Sequence, residues 1–485
     1  MGPRREAVSG GVAALARLAS AAALLLAALL LAAPSAAQDA PPPVALLGAT
    51  LIDGTGAAPV RDAAVVVREG RITCAGPRAR CPVPADVRVE DVTGRWIVPG
   101  LVDGHVHYSQ TGWADGRPDQ AADPRERFPY AVAVAENRAR PERYWRAYLC
   151  SGVTATWDVG GYPWTWDLRE EAELRTDAPH VSAAGPLISA ADHWLNVPAE
   201  RQFLYMASDA AVDTAALYLA ASRTDAVKVW YLVGEDSPNR ADLQRMLRVA
   251  ARRAEEAGLP LIVHATNLWA AKDALDAGAR HLVHSVQDAP VDEEFLALAL
   301  DNGASYNPTL TVYRGIGQFR ERRFDPDGLP MQCVDPETRE KARLTDDVAG
   351  RADPAVLERA RERTAATARI MADNLRRVHE AGIPVVMGTD AGNTLTLHGA
   401  SVFREMEAMA AAGMSPMDVL VASTRNPAVA MGRGGDLGTV EAGRVADLLV
   451  LSADPSRDVA ALRRIESVMR GGRLHRRDEL AYPRP

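Results

Sequence analysis

The chain has 485 residues, with 55 basic side chains against 63 acidic ones and a formal charge of −8 at neutral pH. This balance does not suit a polyanionic partner such as nucleic acid, and a composition of 47% hydrophobic and 24% charged residues excludes disorder, collagen-like repeats and coiled coil. Only Lys228, Lys272 and Lys341 are lysines, so a position that keeps a primary amine in an arginine-rich chain needs a reason.

At the N-terminus, Arg4, Arg5 and Arg17 precede an uncharged stretch over 18–38 that ends in small residues around Ser35-Ala36-Ala37. The pattern predicts a secretory signal over residues 1–37 and a periplasmic or secreted protein without stable membrane insertion after cleavage. The alternative is a retained anchor, because the apolar stretch approaches the ~20 residues that span a bilayer. In an oxidising compartment Cys74 and Cys81, seven apart around a Gly-Pro turn, either bridge locally or stay free. Cys150 reads as a buried apolar residue that closes a helix, and Cys333 sits in a polar loop with no evident partner.

Short strands are expected at 44–52, 63–68, 71–74 and 87–92, and β-like segments return at 446–451 and 466–469. They predict a small composite β-sandwich made of residues 44–95 and 432–478. Between them, over 96–431, eight apolar strands alternate with helical segments: one ends at His107, and the others lie at 153–159, 180–188, 226–231, 259–264, 281–285, 304–310 and 384–390. Such alternation predicts an α/β fold with a parallel sheet, and a (β/α)8 TIM barrel accommodates eight strands without open edges. Long connections over 108–129 and 312–353 follow strands one and seven, where they form a lid or are plain insertions. Trp157, Tyr162, Trp164 and Trp166 after strand two read as core packing, with pocket lining as the alternative.

The chemistry-bearing residues fall at strand ends. His105 and His107 alternate with Val106, so both point to one side and can grip one metal ion. His264 and His284 end two successive apolar strands at corresponding positions. His281, three residues before His284, is placed on the opposite strand face and left out. Asp390 ends the apolar run Val-Val-Met-Gly-Thr-Asp, where a carboxylate is costly to bury without a cation or hydrogen bonds; beside a metal it can ligate and also take a proton from water. Lys228 has apolar neighbours on both sides, and burial favours its neutral amine, which can form a carbamate with carbon dioxide, act as a base or form a Schiff base.

This set resembles the amidohydrolase superfamily: HxH on strand one, lysine on strand four, histidines on strands five and six, aspartate on strand eight. Within it, Gly-Ala-Thr-Leu-Ile-Asp-Gly-Thr-Gly at 48–56, the block 96–107 and Gly-Thr-Val-Glu-Ala-Gly-Arg-Val-Ala-Asp-Leu-Leu-Val-Leu at 438–451 are similar to the imidazolonepropionase-like branch that includes metal-dependent Xaa-Pro dipeptidases. The resemblance implies two divalent metal ions, zinc being expected, with His105, His107 and Asp390 on one, His264 and His284 on the other, and Lys228 bridging them as N6-carboxylysine. It also implies that Asp390 relays the proton in catalysis, that His193 contacts the substrate, although Ala191 and Asp192 replace the usual glycines before it, and that Tyr231 lies where a substrate carboxylate binds. Related imidazolonepropionases lack the bridging lysine and use one metal, so Lys228 favours two.

No G-x-S-x-G, H-E-x-x-H or P-loop occurs. The expectation is an exported metal-dependent hydrolase of a C–N amide bond in a small molecule, such as a dipeptide or an N-acyl amino acid. The alternatives are a lactam, lactone or organophosphate ester hydrolase, or a scaffold that kept the barrel without activity. A homo-oligomer is left open.

Overall fold

A computed structural model describes residues 41–114, 127–192, 200–345 and 353–483 and shows a mixed α/β protein. The leading strands are β1 (Val44–Leu51), β2 (Val60–Arg68), β3 (Arg71–Pro77), β4 (Arg88–Asp91) and β5 (Trp96–Pro99). They are followed by β6 (Leu101–Val106), β7 (Val153–Asp158), β8 (His180–Ala183), β9 (Leu187–Ser189), β10 (Phe203–Tyr205), β11 (Val227–Trp230), β12 (Leu261–His264), β13 (His281–Val283) and β14 (Ser305–Asn307). The last are β15 (Leu448–Leu451), β16 (Ile465–Arg470) and β17 (Arg473–Arg476).

One sheet takes strands from both parts of the chain, in the order β17-β16-β15-β5-β1-β2-β3, with β4 beside β1. Its centre is apolar on both faces: Val44 and Leu46 of β1 pack with Val65, Ile97 and Leu448, while Ala45 and Leu47 pack with Val66, Cys81 and Val87. The segment 96–99, expected with the strands that follow, belongs here, because β5 pairs antiparallel with β15. The chain leaves this sheet at Gly100, where a Cβ would collide with the Thr154 side chain.

The remaining strands are parallel. β6-β7-β8 form one sheet and β10-β9-β11-β12-β13-β14 another, so the single strand expected over 180–188 is split between them. The expected strand at 384–390 contributes isolated bridges at Val385 and Ala391 in place of a regular strand. Even so it ties the two sheets together: Val386 N donates to the Tyr306 carbonyl at 2.9 Å on one side, and Gly104 N donates to the Met387 carbonyl at 2.9 Å on the other. On the far flank Asp225 N donates to the Ala183 carbonyl at 3.1 Å. Amphipathic helices cover the strands; Arg240–Glu256, for example, buries Leu243, Met246, Leu247, Ala250 and Ala254 at helical spacing. Trp157, Tyr162 and Trp164 are buried in the core and do not line the cavity described below.

Among the described residues no helix is long and apolar enough to cross a membrane. The expected signal segment lies outside the described residues, as does much of the first long connection. The second connection carries two helices, Val312–Arg320 and Pro336–Arg343, among its described residues.

Cys74 and Cys81 are joined, with Cα atoms 5.7 Å apart. The reading of Cys150 and Cys333 is corrected: they form a second disulfide, Cα to Cα 5.4 Å, between residues 183 positions apart. Only the folded chain brings the helix Glu142–Cys150 against the 3-10 turn Met331–Cys333, and no local spacing announces the pair. Closing a loop of that length restricts the unfolded chain by about 5 kcal/mol, against about 2.5 kcal/mol for the short loop. Accordingly Cys150→Ser with Cys333→Ser should lower unfolding stability by more than Cys74→Ser with Cys81→Ser, by about 2.5 kcal/mol, in urea titrations under non-reducing conditions. An equal or reversed order would show that the long disulfide contributes little.

Candidate metal centre

β6 and the segment 384–391 lie so close that Asp390 N donates to the His105 carbonyl at 2.8 Å. Gly388 permits the approach, because a Cβ there would stand 2.7 Å from His105 Cβ and would collide with the Asn307 amide. Asp390 adopts φ 60°, in the left-handed region that non-glycine residues occupy at a cost and that recurs at functional sites. His105 Nε2 and His107 Nε2 converge on a single oxygen, Asp390 Oδ1, at 3.3 and 3.0 Å. The three side chains are buried, and their candidate ligand atoms lie within 4.8 Å of one another.

This convergence asks for a cation. His107 Nδ1 lies 2.7 Å from the Gly160 carbonyl, a contact only an N–H can make, so Nε2 is the nitrogen left to serve as a metal ligand. Burial, reinforced by Lys228 and the neighbouring rings, holds His105 far below the usual imidazole range and therefore neutral. Asp390 Oδ1 is buried and accepts no hydrogen bond. Burial would raise the Asp390 carboxyl, but His107, His284 and Lys228 hold it below the usual range, so it stays an anion. Two imidazole nitrogens and a carboxylate oxygen buried face to face are stabilised by a positive charge among them, and this donor set suits a divalent transition-metal ion.

Parallel register brings three further residues to the same place. Lys228 is opposite Ile262, Trp230 opposite His264, and His264 opposite Val283, so His264 and His284 stand at or just past the ends of successive strands, while Lys228, on the strand before, lies two residues short of the level of His264. The His264 and His284 ring centres are 4.5 Å apart, and those of His284 and His105 5.0 Å. Burial lowers both His264 and His284, and it brings the Lys228 ammonium down to about 7. His284 Nδ1 lies 2.7 Å from Thr309 Oγ1, leaving Nε2 as its free nitrogen. All six residues line one cavity of ≈ 240 Å³. Its other walls include Leu187, Phe203, Trp230, Ile316 and Phe319, with Gln110, Gln202 and Asn393 as polar points.

Two sequence expectations are corrected. Tyr231 does not line the cavity: three positions after Lys228 it falls on the other strand face, and its hydroxyl donates to Asp273 Oδ2 at 3.3 Å. His281 is not outward: it stacks on Trp157 at 5.3 Å between ring centres and bonds Ser305 Oγ at 2.7 Å, below the cavity. His284 shares its side of the strand because φ 71° at His284 breaks the alternation. His193 lies outside the described residues.

Residues that hold these groups in place had gone unread. Asp103 accepts from Thr389 N at 2.9 Å and Thr389 Oγ1 at 2.6 Å, tying β6 to the residue before Asp390; burial pushes its carboxyl up to about 7 against those bonds. Its position two residues before His105, where alternation repeats, was the available signal. Glu405 is fully buried on the helix Val402–Ala411 and accepts from Leu310 N at 2.7 Å, Thr311 N at 2.9 Å and Thr311 Oγ1 at 2.7 Å. It thereby fixes the turn that presents Thr309 to His284. His398 Nε2 lies 3.1 Å from the His107 carbonyl, and its ring stacks on Tyr144 at 4.0 Å. Nothing local in the sequence marks Glu405 or His398.

Buried histidines and an aspartate carried on neighbouring strands and on the segment 384–391 form a group whose residue types fit a metal ion, and comparison with known proteins assigns the family. The amidohydrolase family model matches residues 96–475, and the chain belongs to that family. Imidazolonepropionase of Shouchella clausii (strain KSM-K16) is 36% identical over 104 residues, which is 21% of this chain and 23% of that protein. Imidazolonepropionase of Rhizorhabdus wittichii is 46% identical over 59 residues, 12% of this chain and 15% of that protein, so the matched stretches span under a quarter of these relatives. Among solved structures, a Xaa-Pro dipeptidase with bound methionine in its active site aligns with TM-score 0.67 and 21% identity over 90% of this chain and 100% of the other. Molinate hydrolase aligns with TM-score 0.68 and 23% identity over 92% and 98%, and the ochratoxinase of A. niger with 0.66 and 20% over 90% and 96%.

The Thr309–His284 contact is open to a direct check. Thr309→Ala should weaken divalent-metal affinity about 10–100-fold in competition with a chromogenic chelator, while Thr309→Ser retains it. Equal affinity in both variants would mean that the hydroxyl does not orient the ring.

Proposed function

We propose that this member of the amidohydrolase family, a hydrolase of carbon–nitrogen bonds, is an exported enzyme that uses divalent metal to cleave an amide in a small molecule such as a dipeptide or an N-acyl amino acid. The observation that carries the reading is the convergence of His105 Nε2 and His107 Nε2 on the unsatisfied Asp390 Oδ1, with Lys228, His264 and His284 on the same cavity. The parallel strands and the bridging segment 384–391 are read as one (β/α)8 barrel that begins at β6, with the mixed-origin sheet, which takes 96–99, as its companion domain. His105, His107 and Asp390 would hold one ion and His264 and His284 a second, zinc suiting nitrogen and oxygen donors. Such ions, when bound, polarise the substrate carbonyl and lower the pKa of water.

The chain's own groups do the rest. Lys228 is neutral in a large fraction at neutral pH and can react with carbon dioxide: the N–C bond forms, a proton is released, and the carbamate supplies an anionic ligand shared between the two sets of histidines. Asp390 accepts a proton from the attacking water as its oxygen bonds to the acyl carbon, then passes that proton to the leaving nitrogen as the C–N bond breaks. The apolar walls exclude bulk water, and His193 contacts the substrate. Two disulfides support an oxidising compartment, and with it the export expected from residues 1–37.

Metal analysis coupled to a dipeptide and N-acyl amino-acid panel tests this reading. Purified protein should contain divalent metal, lose amide hydrolysis in chelator and regain it on addition of zinc; full activity in strong chelator, or turnover of esters with none of amides, would overturn it. The lysine chemistry has its own readout. Metal-free protein given ¹³C-bicarbonate should show a carbamate carbon signal that is stronger at pH 8.5 than at pH 6, since the reactive neutral amine gains as pH rises through about 7. Lys228→Arg should lack the signal, and an identical signal in that variant would place the carbamate elsewhere.

A further inference from the structure

The first turn of the helix Val312–Arg320 brings the half-buried Tyr313 to the cavity that holds the six candidate ligands. Contacts on two sides set its place. Thr309, four residues before it, lies 2.7 Å from His284 Nδ1, and the buried Glu405 carboxylate accepts from Leu310 N and Thr311 N at 2.7 and 2.9 Å. From the other side Gln287, three residues after His284, donates from Nε2 to the Tyr313 hydroxyl oxygen at 2.7 Å. Gln287 is itself fixed, because its backbone N–H donates at 2.8 Å to the carbonyl of Thr266, two residues after His264. The turns that follow the two histidine-bearing strands therefore also aim the phenol.

The direction of the Gln287 bond decides what the phenol can do. A hydroxyl carries one hydrogen and two lone pairs. Tyr313 uses a lone pair on Gln287, and no described group accepts its hydrogen. Burial holds the phenol above its usual range, and the Asp390 carboxylate adds to this against the Gln287 bond, so the hydroxyl keeps that hydrogen. Other uncharged side chains on the cavity are committed elsewhere: Gln202 accepts from the Tyr130 hydroxyl at 3.3 Å, and Asn393 Nδ2 donates to the Asp390 carbonyl at 3.4 Å. A neutral O–H with an unused hydrogen, in a space shared with Asp390, His264 and His284, suits the oxygen on which charge develops when an amide is attacked.

We infer that Tyr313 is a catalytic residue that donates a hydrogen bond to the acyl oxygen of the scissile amide, and that Gln287 is the positioning residue that turns the hydroxyl hydrogen into the cavity. The inference rests on the hydrolase reading above and deepens it by adding a residue to the reaction. As the water oxygen bonds to the acyl carbon, the C=O π pair moves onto the acyl oxygen. The Tyr313 hydrogen bond strengthens on that negative oxygen without transfer of its proton. When the C–N bond breaks, the pair returns to the C=O bond and the leaving nitrogen takes the proton held by Asp390. A bond that strengthens only as charge develops lowers the barrier more than it tightens substrate binding, so its signature falls on kcat.

Tyr313→Phe removes the hydroxyl and keeps the ring. It should lower kcat for dipeptide or N-acyl amino-acid hydrolysis about 100–1,000-fold with little change in KM, and it should keep the divalent-metal content of the wild type. Calorimetric binding needs no turnover. Affinity for N-methylphosphonyl derivatives of leucine and phenylalanine, whose tetrahedral anionic phosphorus centre copies the attacked amide, should fall about 100-fold in the variant, while affinity for the free amino acids stays the same. Gln287→Glu places an acceptor where the amide donor stood and captures the phenol hydrogen. It should lower kcat although Tyr313 is present, and in the Tyr313→Phe background it should cost little more. An unchanged kcat in Tyr313→Phe, a matching loss of metal, equal falls in phosphonate and amino-acid affinity, or an undiminished effect of Gln287→Glu in the Tyr313→Phe background would each overturn the assignment. Failure of the wild-type protein to bind the phosphonates would do the same, whereas the chelator and substrate-panel results decide the hydrolase reading by themselves.

Discussion

A carboxylate oxygen faced by two imidazole nitrogens in a buried space is the constraint from which the rest of the site follows. Asp390 Oδ1, His105 Nε2 and His107 Nε2 are polar atoms buried face to face, and the fold holds them there by packing and hydrogen bonding elsewhere. Asp103 ties Thr389 to β6, Gly388 lets the two backbones touch, and Gly160 and His398 bond the imidazole and the carbonyl of His107. Each of these is a local interaction of modest strength. Together they keep three electron-rich atoms where a metal ion would stabilise them most.

The second set of groups is held differently. β11, β12 and β13 place Lys228, His264 and His284 by parallel register, but the strand would turn His284 away were it not for its left-handed backbone and the Thr309 hydroxyl. Thr309 is itself left-handed, at φ 41°, and its turn is pinned by the buried Glu405. A carboxylate nearly 100 residues downstream of Thr309 thus sets the orientation of an imidazole, and it anchors the residues that lead into the helix walling the cavity. The Cys150–Cys333 bridge fastens the same downstream connection to the helix Glu142–Cys150. The cluster of buried histidines and the helical wall of the cavity are therefore parts of one anchored structure.

Much of this was legible in the sequence because it depends on short periods. Alternation puts His105 and His107 on one side, apolar runs ending in His264, His284 and Asp390 mark strand ends, and a lysine among apolar residues in an arginine-rich chain stands out at Lys228. The same rule, applied three residues on from Lys228, would have put Tyr231 on the outer face, where it lies. Where alternation fails, so does the reading: a single left-handed residue makes His281 and His284 share a side, and the strand at 384–391 is bridged and irregular.

The sequence by itself determined the alternation of apolar strands and helices, the residue types able to bind metal and the assignment of family, since each is written in neighbours a few positions apart. Only the tertiary structure decided that Cys150 meets Cys333, and that Glu405 and Asp103 position the candidate metal-binding groups. Those pairings join residues tens to hundreds of positions apart, and packing of the whole chain, with no local preference to announce it, chooses which of them meet.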